Sequence, residues 1–161
     1  MTLSQVSNVL WRERQLLELL LFKLEEEQLL LAAGRTRWLP FATREIEHVI
    51  EQIKETELAR AVAVEAIGLE LGLGPNPSLK RLAEVAPSPW GGMLEEHRRA
   101  FLGATQEIVG MAESNRDLLS KGWQAARQVL ASFGEIRIDT YSAAGTAAEF
   151  SSGPRLVDEA L

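Results

Sequence analysis

The chain has 161 residues, 46% of them hydrophobic, which supports one domain with a single core rather than two. It holds no cysteine, which excludes a disulfide framework and thiolate metal sites and is compatible with a reducing cytoplasm. The formal net charge is −6, and the basic pairs Lys80–Arg81 and Arg98–Arg99 are followed or flanked by acids, so a nucleic-acid surface is not expected.

Leu and Ala dominate the apolar positions, with a single Tyr, and this favours helix over sheet. All six prolines lie at or outside the ends of three long proline-free spans, which are read as helices of an all-α protein. Residues 3–33 form the first, closed by Gly34, a residue suited to the left-handed conformation of a helix end. Leu3, Leu10, Leu17, Leu24 and Leu31 recur at intervals of seven within it, the pattern of a coiled-coil-like seam. Glu18, Lys23, Glu25, Glu26 and Glu27 interrupt the leucine-dense stretch at a density no bilayer core accepts, so no membrane insertion is expected. Residues 1–10 lack the basic start and uninterrupted apolar run of a secretory signal.

Pro40 suits the first turn of a second helix, whose period is carried by Ile46, Ile50, Ile53, Ala61, Val64, Ile67 and Leu71 up to Gly72–Leu73–Gly74–Pro75. Only about six residues join it to the first, so the two are expected as an antiparallel hairpin. Ser78 is a good N-cap for a short helix over Leu79–Val85, closed by Pro87 and Pro89. The third long helix, residues 90–133, is about 65 Å long. Taking Leu94 as heptad position a places Phe101, Ile108, Asn115, Gly122 and Val129 at a, and His97, Ala104, Met111, Leu118 and Ala125 at d. Ala112, Leu119, Ala126 and Phe133 at e, with Leu102, Val109, Trp123 and Leu130 at b, widen the apolar arc to about 160°. A two-stranded seam uses only a and d, so the surplus is expected to face another element, a second subunit or a client. Residues 1–134 thus make the helical domain, and residues 135–161, rich in Ala, Gly, Ser and Thr, read as a flexible tail.

Little in the chain resembles catalytic machinery. Glu45-Ile46-Glu47-His48 is an E-x-x-H on a helix, the spacing that metal-dependent helical bundles use, but Leu94 stands where a second motif ending at His97 would need a Glu. A solvated charged face is the better reading of the first, and a half-buried helix position the better reading of His97. No nucleophile has an adjacent activating base and no Gly-rich turn follows a strand, so no catalytic residue, cofactor or metal is assigned. Trp90-Gly91-Gly92 matches W-x-G, the turn signature of small helical-hairpin proteins of type VII secretion, yet here it opens a third helix. Trp11, Trp38 and Trp90 read as core anchors. Trp123, outside the seam beside Leu119 and Leu130, reads equally as core or as an anchor for helix-in-groove binding.

A long helical hairpin, a third long helix containing Asn115-Arg116-Asp117-Leu118-Leu119, and a tail with Thr140-Tyr141-Ser142-Ala143-Ala144-Gly145 together resemble the FlgN family of flagellar export chaperones. Glu27-Gln28 and the following leucines are similar to that family as well, and Ser142 stands where it often has Gly. The resemblance implies a cytoplasmic type III export chaperone that binds the terminal helices of hook–filament junction proteins, prevents early assembly and passes them to the export gate. It places Asn115, Leu118 and Leu119 on the client side and Tyr141 at the gate-binding tail position; Trp123 joins them from the stripe alone. A structural coiled-coil module that forms a homodimer and a metal-dependent bundle enzyme remain as alternatives.

Overall fold

The computed structural model describes residues 2–132. Four helices run in order: α1 (Leu3–Ala32), α2 (Leu39–Glu70), α3 (Leu79–Val85) and α4 (Trp90–Ser132), with one 3-10 turn, Thr36–Trp38, between the first two. The elements read from proline placement and heptads are the ones observed. Local chemistry sets their ends. Thr2 accepts from the Gln5 backbone N–H at 3.2 Å while the Gln5 side chain accepts from the Thr2 N–H at 2.8 Å, a reciprocal cap. α1 and α2 stop in the same way, at Gly34 and Gly72 with φ of 65° and 74°. At each end a backbone N–H reaches five residues back, Arg35 to the Leu30 carbonyl and Leu73 to the Gly68 carbonyl. Ser78 caps α3 through the Arg81 N–H at 3.1 Å.

α1 is the central helix. α2 packs against it antiparallel and α4 packs against it on another side, while α2 and α4 do not meet through their backbones. The order of the cross-contacts gives α4 its direction. Ser7 meets His97 near the start of α1, and Gln28 and Leu24 meet Ser114 and Asn115 near its end, so α1 and α4 run parallel. α3 folds onto α4 closely enough that a β-carbon at Gly91 would stand 2.7 Å from the Ala83 carbonyl oxygen. Gly91 is therefore the residue that permits this approach.

The core follows the heptads in its middle and departs from them elsewhere. Leu10, Leu17 and Leu24 are buried, as are Ile46, Ile53, Val64 and Ile67 of α2 and Leu94 and Phe101 of α4. Ala61 is exposed and Ala63 lies in the core instead, because the α2 face turns slightly against the expected stripe. Trp11 and Trp38, expected as core anchors, are both 45% exposed, and Trp90 is half-buried. Each of the first two carries an arginine on its ring, Arg14 at 4.3 Å and Arg37 at 4.5 Å, an arrangement available at a wet surface.

Where the three long helices come together the core is polar. Arg60 Nη1 lies 3.0 Å from Glu13 Oε1, off the line of a hydrogen bond, and Glu13 Oε2 has no partner. Burial pushes the Glu13 carboxyl up to about 7 against the opposing pull of Arg60. Between its ordinary pKa and about 7 the folded chain holds a proton that the unfolded chain has released, so this group contributes a loss of stability as pH rises through that window. Glu13→Gln is expected to flatten that decline when the melting temperature is followed from pH 5 to 8. An unchanged slope would show that Glu13 does not titrate there.

Candidate partner-binding surface

The surface of interest arises from a mismatch of lengths. α1 has 30 residues and α4 has 43, about 45 Å against about 65 Å. Because they run parallel from a shared starting level, α4 outruns its partner by about 13 residues, or about 20 Å. Along the shared length the a and d residues of α4 face α1. His97 is fully buried rather than half-buried, with its ring edge-on to Trp11 at 5.0 Å. Arg14 Nη1 lies 3.5 Å from His97 Nδ1, and a guanidinium only donates, so the ring proton sits on Nε2, 3.4 Å from Ser7 Oγ. Burial and the nearby Arg14 both hold the His97 pKa below its ordinary value, which keeps the ring neutral.

Asn115 closes the shared length. Its Nδ2 donates to the Leu24 carbonyl and to Glu27 Oε2, both at 2.9 Å, and the side chain is buried in the seam between α1 and α4. A polar residue at an a position fixes the register of two helices because any slip leaves it unpaired. Its side chain thus faces α1 and not the outer surface. The seam ends a turn later. Leu118 is half-buried, while Gly122, Ala125 and Val129, which the heptads place at a and d, are exposed because α1 has ended at Ala32.

Past that point the whole apolar arc of α4 is open. Leu119 is 55% exposed and Trp123 66%, and both lie on one ridge with Leu130, also exposed. Every residue from 119 to 131 is exposed. The structure thus brings Leu118, Leu119 and Trp123 together on one projecting helix end and sets Asn115 at its base. The arrangement has the form of one half of a helix-to-helix interface: a stiff apolar ridge with Arg116, Lys121 and Arg127 around it. Tyr141 and the expected tail, residues 135–161, lie outside the described residues.

The other candidate chemistry resolves into surface ion pairing. Glu45 Oε2 accepts from Lys23 Nζ at 2.9 Å, and among the described residues no three His, Cys, Asp or Glu side chains gather as metal ligands. Among those residues no helix is long and apolar enough to cross a membrane. Trp90-Gly91 opens α4 and makes the contact to α3 rather than a hairpin turn.

A family model described as FlgN protein matches residues 1–149. No curated protein and no solved structure matches the chain significantly.

Proposed function

The chain belongs to the FlgN family of flagellar export chaperones, and on that premise we propose that its projecting α4 end holds the amphipathic terminal helices of hook–filament junction proteins. In this reading the chain works in the cytoplasm, by binding rather than catalysis. It covers the apolar faces by which those helices would otherwise assemble early, and it delivers them to the export gate. The observation that carries the reading is the overhang: a wide apolar arc that is exposed and that no other helix covers among the described residues. Leu118, Leu119 and Trp123 are the client contacts, and Asn115 supports them by fixing where the overhang begins. An amphipathic client helix laid along this ridge would bury both apolar faces at once.

The reading is tested by titrating the full chain against peptides of the terminal segments of junction proteins. Saturable binding to those peptides, and none to scrambled controls, is expected; its absence removes the proposal. Tyr141 carries the second half of the proposal, capture by the gate. A tyrosine joins a large apolar ring to a hydroxyl that can hydrogen-bond at a desolvated interface, which makes it a good anchor. Tyr141→Ala should leave stability within about 0.5 kcal/mol of the original and spare the client peptide. It should also weaken binding to the cytoplasmic domain of the export gate. Equal gate affinity in the two proteins would take Tyr141 out of that site.

A further inference from the structure

A second exposed apolar area lies on the α1–α2 hairpin, near its turn, and α4 takes no part in it. Two shallow depressions of about 500 and 400 Å³ run between α1 and α2 and share Phe41 and Glu45 as a common wall. Leu19, Leu29, Trp38 and Phe41 line them and are all exposed, with the Trp38 and Phe41 rings 5.9 Å apart. Single exposed apolar side chains are ordinary on a protein surface, but a contiguous set along one groove is not. From the level of Leu19 to that of Ala33 the groove is about 21 Å long, the length of a helix of about fourteen residues.

The charge around this groove opposes that of the rest of the chain. Lys23 lies 3.2 Å from Glu26 and 2.9 Å from Glu45, so these three together leave one negative charge. Arg35 and Arg44 line the groove without an acidic partner among the described residues, and together they outweigh that one negative charge; Arg37, outside the lining, rests on the Trp38 ring beside it. The rim is therefore net positive on a chain whose total is −6. From this combination we infer that the hairpin groove docks an acidic amphipathic helix of a partner protein, separately from the α4 ridge. The Phe41 and Trp38 rings supply the apolar floor on which affinity depends. The arginines select the sign of the partner and steer its approach, and a guanidinium already stacked on an indole loses little freedom when it meets a carboxylate. The groove shares no residue with the α4 ridge, so an acidic helix seated here leaves the ridge free.

The test uses the full chain and a synthetic helical peptide of about sixteen residues, with leucines at i, i+3, i+4 and i+7 and glutamates beside them, together with a twin carrying lysine for each glutamate. Fluorescence anisotropy should show the glutamate peptide binding at least about tenfold more tightly than its twin, with the difference shrinking as salt is raised. Phe41→Glu should abolish binding. Arg35→Glu with Arg44→Glu leaves the apolar floor intact and should reverse the preference between the peptides. Leu119→Ser with Trp123→Ser should change nothing here, which keeps this result apart from the client-binding test. Equal binding of the two peptides, or loss of binding in the α4 variant, overturns the inference. So does a dimer in sedimentation that Phe41→Glu dissolves, which would give the groove to a second copy, or equally tight competition by a peptide of residues 135–161, which would give it to the chain's own C-terminal segment.

Discussion

Replacing Leu119 and Trp123 together by serine is expected to weaken the complex with a junction-protein terminal helix by about 2 kcal/mol or more, roughly thirtyfold in affinity, with little loss of fold. The asymmetry follows from where the two side chains sit. Both are more than half exposed, Leu119 level with the last turn of α1 and Trp123 past its end, so neither fills space in the core of the described residues. Truncating exposed side chains of this kind usually changes stability by no more than about 0.5 kcal/mol. In a complex the same atoms would be desolvated, and a Trp flanked by leucines is the sort of residue that dominates an interface. Circular dichroism melts of the two proteins should superimpose while titration with client peptides separates them. Unchanged client affinity would move the binding site off the ridge. Asn115→Ala offers the contrast: it releases the contacts to Leu24 and Glu27, so its effect should appear first in the melting temperature.

The difference between those two substitutions was only half legible in the sequence. Proline placement, glycine stops and the leucine heptads located each helix to within a residue or so, because these signals are local: a missing N–H, a left-handed φ or a sevenfold spacing acts whatever surrounds it. The family resemblance, drawn from the order of features, agrees with the family match over residues 1–149. Partnership between helices was less accessible. The heptad pattern of α4 runs on past Leu118 without any change, so nothing in it marks the point where α1 gives out and buried positions become open ones. Asn115, at an a position, and Trp123, at b, are both candidate contacts in the sequence, although one locks the seam and the other lies beyond it. His97 looked half-buried for a related reason. Its burial depends on Ser7, Trp11 and Arg14, about ninety positions earlier, and only the parallel docking of α4 brings them together. The hairpin groove gave no sequence signal at all, since Leu19, Leu29, Trp38 and Phe41 belong to no single helical stripe.

Phe101→Ala should be among the most damaging single truncations in the chain, costing about 3–5 kcal/mol of stability. Phe101 is 1% exposed and is the largest of the fully buried side chains. Its ring stacks on His97 with centroids 6.4 Å apart, and the Arg60 guanidinium stands 5.6 Å above it. Removing the ring therefore opens a cavity and also takes away the π face that Arg60 meets beside Glu13, whose Oε2 already lacks a partner. The cavity is expected to dominate, since a cation over a ring at this range contributes about 1 kcal/mol and aromatic truncations several times that. Phe101→Leu keeps most of the volume while losing the same π face, and should cost about 1–2 kcal/mol. Chemical denaturation of the three proteins measures both steps. A total loss below about 1 kcal/mol for the alanine variant would mean that α4 is not seated on α1 at this level, and with it the parallel register that produces the overhang would fall. Under conditions where the alanine variant remains folded, its client affinity should match that of the original, because the ridge begins eighteen residues further along α4 and shares no contact with the Phe101 pocket.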